Sequence, residues 1–257
     1  ADEIRKRHDA VGELVGRGDT RKRIRDALRS VGDVERLTGR VAMSAANPRE
    51  LVQLRRALAA LPGIAELVTD AEYELLRLIG TSIDPVPEAA ELLFTALADD
   101  PPASIAEGGV IREGYDAEID ELRAIQRGGR SWIAQLQAKE REGTGIGSLK
   151  IGFNKVFGYY IEVSRARLAD VPPHFERRQT LANAERYVTP ELKEMEAKVL
   201  GAEERAQALE HARFAEVRDR VAEHADRLFR TAAALARLDA VASLAELAGM
   251  RRYVRPQ

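Results

Sequence analysis

The chain has 257 residues, 45% hydrophobic and 32% charged, with a net charge of −2 and no cysteine. That size holds one large folded domain or two smaller ones, with more charge than an average soluble protein. Disulfides and thiolate metal sites are excluded, no run approaches the ~18 apolar residues of a membrane span, and no basic-then-apolar secretory leader opens the chain.

In chain order, Ile4, Val11, Leu14 and Val15 recur at helical spacing, and Gly16 to Gly18 closes that helix. A second helix is predicted over 20–31, with Ile24 and Leu28 on one face, and a third over about 33–43. Asn47, Pro48 and Glu50 form a helix start: a capping side chain, a proline where its missing N–H costs nothing, and the third position of a capping box. Leu51, Leu54, Leu58 and Leu61 supply its buried stripe, and Pro62-Gly63 is expected to end it. Short helices follow over about 71–79 and 87–97, then a break at residues 99–102 and a turn at Gly108-Gly109. This part reads as a bundle of short packed helices.

From Tyr115 a helix of roughly 40 Å is predicted to run to about residue 142. Gly128-Gly129 inside it is a local weakness, as a hinge or a kink. A second long helix opens at Thr189, Pro190 and Glu191. Leu192, Met195, Val199, Ala202, Ala206 and Leu209 then step by three and four like a coiled-coil seam. The seam slips and resumes at Phe214, Val217, Val221 and Leu228, and residues 231–247 are expected to return into the bundle. Two long helices around one insert are most economically an antiparallel pair with the insert at its far end. The fold class is mainly α with a small antiparallel β insertion: a helical bundle core plus a long antiparallel helix pair.

The insert, residues 148–190, is where sheet is expected. It carries six of the chain's 13 aromatic residues and a net charge of +3 inside an acidic remainder. Leu149, Ile151 and Phe153 alternate with polar residues or glycine, as do Tyr159, Ile161 and Val163 with Tyr160, Glu162 and Ser164, so a hairpin is expected across residues 154–158. Weaker strands are predicted at 177–182 and 185–189 around an Asn183-Ala184 turn, with Pro172-Pro173 keeping the connection between hairpins out of any central strand. A basic module held by acidic helices suggests contact with an anionic partner.

LKIGFNKVFGYYIEVSRARL (149–168) and RRQTLANAERYVTPELKEMEAKVLGAEERA (177–206) resemble the clamp domain of the MutS family of bacterial DNA mismatch-repair proteins. PPASIAEGGVIREGYDAEIDELR (101–123) is similar to that family's approach to its lever, and RHDAVGELV (7–15) and YVRP (253–256) to its core. The resemblance covers essentially the whole chain. It implies a core domain at 1–114 completed by 231–257, an ascending lever helix at 115–147, a β clamp at 148–190 and a descending lever at 191–230. It implies phosphate contacts on double-stranded DNA, mismatched duplex included, from Asn154, Lys155, Arg165, Arg177, Arg178, Gln179, Thr180, Asn183 and Arg186. It further implies a parent protein that is a homodimer, uses ATP and magnesium in an ATPase domain, meets a downstream partner of the MutL type, and works in the bacterial cytoplasm at the nucleoid.

This sequence departs from the family in ways that bear on function. No G-x-x-x-x-G-K-[ST] phosphate loop occurs; residues 143–150 come nearest, but they follow a helix, open a strand and misplace the lysine, so a flexible joint is expected there. Phe214-Ala215-Glu216 matches the letters of the family's mismatch reader but falls in mid-helix, where Phe214 is expected in the core. The chain begins inside a helical pattern and stops at Arg255-Pro256-Gln257, so it reads as a piece of a longer protein whose remaining core exposes apolar surface. His8, His174, His211 and His224 lack metal-ligand spacing, and no serine sits in a nucleophile elbow, so no catalytic residue is assigned. The alternative reading is a helical-hairpin scaffold or dimerisation module whose tip binds protein; a basic rather than apolar tip favours nucleic acid.

Overall fold

Asn47 and Glu50 fix the start of helix α4 (Pro48–Thr69) in the computed structural model, which describes residues 2–154 and 156–255. The Asn47 side chain accepts from the Glu50 N–H at 3.0 Å, and the Glu50 carboxylate accepts from the Asn47 N–H at 3.0 Å. Leu51, Leu54, Leu58 and Leu61 are all buried, as the stripe requires. The helix does not end at Pro62, as expected from sequence, but continues to Thr69 with the proline inside it. A proline there leaves the Leu58 carbonyl without its helical donor, at a cost of about 3 kcal/mol. The following turns bury Ile64 and Val68 almost completely, and at ~1.5–3 kcal/mol each that burial offsets the loss.

The chain divides into two compact units, Ala1–Tyr115 with Glu210–Gln257, and Asp116–Leu209. In the first, helices α1 (Asp2–Gly16), α2 (Gly18–Val31), α3 (Val34–Ala42), α5 (Glu74–Ser82) and α6 (Pro87–Ala96) pack around α4 and around α9 (Ala225–Arg251), which touches α1, α2, α3 and α5. The break between α5 and α6 is tied to α9. Arg227 donates to both oxygens of Asp84, at 2.7 and 3.0 Å, and the Thr231 hydroxyl donates to the Asp84 carbonyl at 3.0 Å. Phe214 is 1% exposed in this unit's core, and Glu216 pairs with Arg213 at 3.1 Å. The second long helix, α8 (Pro190–Ala222), is shorter than the sequence pattern suggested: it stops at Ala222, and Leu228 belongs to α9. No glycine or proline marks that stop; His224 leaves helical geometry at ψ 7° and its N–H turns to the Val221 carbonyl.

In the second unit, α7 (Ala117–Thr144) starts at Asp116, whose carboxylate accepts from the Glu118 and Ile119 N–H groups. It runs without interruption through Gly128-Gly129. Glu118 meets Arg205, Leu122 packs with Ala202 and Ala206, Gly129 faces Val199, and Lys139 lies near Glu191. One set of numbers rises as the other falls, so α7 and the start of α8 are antiparallel. Between them lies one four-stranded antiparallel sheet of order β1-β2-β4-β3, with strands β1 (Lys150–Asn154), β2 (Gly158–Ser164), β3 (Glu176–Thr180) and β4 (Ala184–Val188). The two expected hairpins are thus joined by β2–β4 pairing, and the connection 165–170 is a 3-10 turn. Ile161, Val163 and Tyr187 from the sheet meet Leu136, Ile146, Leu149, Phe175 and Leu192 in a single core. Ile146 and Leu149 are 0% exposed, and Arg167 donates to the Gly145 carbonyl at 3.0 Å. The joint after α7 is therefore packed, not loose.

Candidate nucleic-acid interface

The sheet's two faces do different work because side chains alternate along each strand. Tyr159, Ile161 and Val163 of β2 face the core, which leaves Tyr160 and Glu162 on the outer face. On that face Glu162 lies opposite Arg186, and Gly152 opposite Tyr160. The Arg186 guanidinium sits 4.0 Å from the Tyr160 ring centre, donates to Glu162 at 3.0 Å and donates to Gln179 at 3.1 Å. A ring, a carboxylate and an amide together hold it in one plane. Gly152 makes room for this arrangement: a Cβ there would stand 2.8 Å from the Tyr160 ring.

The β3–β4 ladder slips between Arg177 and Gln179, so Arg178 is the extra residue of a bulge. Bulges turn side chains away from the regular alternation. Arg177 and Arg178 are both exposed. Arg177 makes a long ion pair of 3.7 Å with Glu185, while Arg178 closes no side-chain ion pair among the described residues. The inner neighbour Tyr187 donates its hydroxyl to Glu185 at 2.6 Å; burial, then that bond, pushes its pKa up to about 12.

The remaining predicted residues fall at the two ends of the sheet. At one end, Asn154 builds the β1–β2 turn: its side-chain oxygen accepts from the Val156 N–H at 2.8 Å and the Phe157 N–H at 3.3 Å. Lys155 lies outside the described residues. Gly158 closes that turn with φ 76°, and a Cβ there would run into the Glu196 carboxylate, which accepts from the Tyr159 N–H at 3.2 Å. At the other end, Arg165, Thr180 and Asn183 are exposed, and the Arg165 N–H donates to the Asn183 carbonyl at 3.0 Å. Six residue steps of β2, about 20 Å, separate the two ends. The structure therefore gathers Arg177, Arg178, Gln179 and Arg186 beside the bulge, joins Arg165 to Asn183, and sets Asn154 apart.

Two features were not read from the sequence. Val156 and Phe157 stand 80% and 58% exposed at the β1–β2 tip; the signal was two apolar residues in a turn, where polar ones are the rule. Lys193 of α8 reaches Glu176 at 2.7 Å and lines the same groove as Arg178, and only the folded geometry brings it there.

A small basic antiparallel sheet inserted between two long antiparallel helices, in an otherwise helical chain, defines a mainly α protein with a β insertion. Residues 114–205 match the family model described as MutS family domain IV. The chain is 50% identical over 254 residues to the DNA mismatch repair protein MutS of Symbiobacterium thermophilum, covering 99% of this chain and 29% of that protein. Proteins of the same name from Acetivibrio thermocellus and Salinibacter ruber are 46% and 47% identical over 99% and 98% of this chain, and 29% and 28% of their own lengths. The chain belongs to the MutS family. It spans under a third of the length of these relatives.

Proposed function

We propose that this chain is the DNA-holding part of a mismatch-repair recognition protein. Residues 148–190 act as a clamp on double-stranded DNA through sequence-independent phosphate contacts. Residues 115–147 and 191–230 act as levers, and 1–114 with 231–257 as the core. The observation that carries this reading is the pair Arg165 and Arg178: both are exposed and neither closes a side-chain ion pair among the described residues, on a sheet whose other arginines are already held. Cations held in no direct ion pair gain most from phosphate, and Thr180 and Asn183 add directional donors. Arg186 acts as a scaffold for this surface, since Glu162 already neutralises it. The relatives' name supports the assignment to mismatch repair. In the longer protein we place ATP hydrolysis with magnesium, the partner subunit of a homodimer and the MutL-type partner's site outside the chain's own basic sheet, and the cytoplasm at the nucleoid as the place of work.

The test is a salt titration of binding to matched and mismatched duplexes, repeated with Arg177→Glu/Arg178→Glu. Affinity should fall as salt rises, nearly alike for both duplexes, with a log–log slope of about −0.9 per phosphate neutralised. The charge-reversed variant should lose at least about tenfold in affinity and flatten the slope by about two. Binding indifferent to salt, or a variant as good as the parent, sinks the phosphate-contact reading.

A further inference from the structure

We infer that the β1–β2 tip is an apolar contact for the deoxyribose edge of a DNA strand, set beside Arg178, which takes a flanking phosphate; this rests on the duplex-binding reading above. Val156 and Phe157 expose 80% and 58% of their surface at the tip. Exposed apolar side chains in a loose loop mean little, but this tip is fixed on both sides. The Asn154 side chain binds the backbone of both residues, and Glu196 of α8 holds the Tyr159 N–H just beyond them. Gly158, with φ 76°, sets the backbone between the two clasps. Two greasy side chains are thus presented rigidly, so little conformational freedom is lost when they are covered.

What covers them is indicated by the adjoining groove of about 510 Å3, which Val156 and Phe157 line together with Leu200, Arg178, Arg186 and Lys193. Of the three cations in its lining, Arg186 is held by Glu162 and Lys193 by Glu176, which leaves Arg178 for a phosphate; the one carboxylate of the lining, Glu196, is turned to a backbone N–H. An apolar ridge flanked by positive charge is complementary to a nucleic-acid strand, whose sugars offer C–H edges between regularly spaced phosphates. A surface built for phosphate alone would need no such ridge. Apolar side chains laid against or between nucleotides are a known way for proteins to grip DNA without reading bases through hydrogen bonds.

The two kinds of contact separate in a salt titration. Phosphate neutralisation sets the slope of log affinity against log salt, whereas apolar burial adds a term that salt barely changes. With the whole chain and a fluorescein-labelled matched duplex, Phe157→Ser and Val156→Ser should each weaken binding by roughly fivefold at every salt concentration while leaving the slope intact. Phe157→Leu, which keeps an apolar surface, should recover most of the loss. Arg178→Gln should flatten the slope instead. Unchanged duplex binding by Phe157→Ser, with the parent's salt slope intact, overturns the sugar contact and leaves the phosphate reading standing. A parent that shows no salt-dependent binding removes both. Unchanged duplex binding accompanied by lost binding of a glutamate–tyrosine copolymer assigns the ridge to an acidic protein and likewise overturns the inference.

Discussion

Tyr187 shows how a single buried side chain orders the charged neighbours at the edge of its own face. Its ring packs against Phe175 with centroids 6.0 Å apart, and its hydroxyl holds Glu185, the carboxylate that faces Arg177. Burial and then the bond to Glu185 raise its pKa from 10.0 to about 12. A pKa higher in the folded than in the unfolded state means the folded state keeps the proton longer. The stability this brings is full below pH 10 and disappears as pH rises through about 12. Tyr187→Phe should therefore lack the last phenolate step in an absorbance titration, and the difference in urea midpoint between parent and variant should shrink across that window. A last step retained in the variant counts against the assignment. At this scale the sequence was only partly legible. Arginine and tyrosine types were evident, but that Arg186 would be captured by Glu162 depends on the β2–β4 register, which alternation within either strand leaves open.

Helix α7 makes the same point about elements. Gly128 and Gly129 are adjacent and look equivalent in sequence. In the fold, a Cβ on Gly128 meets nothing within 4 Å, whereas one on Gly129 would overlap the Val199 side chain of α8. Gly128→Ala should therefore stabilise the protein by about 1 kcal/mol through helix propensity, and Gly129→Ala should destabilise it, because closely packed helices must separate. Chemical unfolding of the two single variants checks this; equal effects would mean that the α7–α8 contact does not limit stability. Local signals such as the Asn47–Glu50 capping box were legible because they are settled within four residues. Pro62 was misread because the burial of Ile64 and Val68, a tertiary matter, outweighs a local break. The end of α8 was missed for want of any glycine or proline, since a histidine carries the turn. The two hairpins were visible in the alternation of apolar and polar residues; their fusion into one sheet was not.

For the molecule as a whole, the charge pattern did not rank its members. A net charge of +3 over residues 148–190 says nothing about which cations are already neutralised. The described residues show Arg186 neutralised, Arg177 partly so, and Arg165 and Arg178 left over. Under the proposed phosphate contacts, the roughly 20 Å that separate the Asn154 turn from the Arg165–Asn183 turn would act as a ruler. In B-form DNA the phosphates of one strand recur about every 3.4 Å of helix axis, so that span laid along the axis corresponds to about six nucleotides. Oligonucleotide duplexes shorter than this footprint should be held by one turn alone and show a shallower salt slope, and lengthening them past it should steepen the slope in one step.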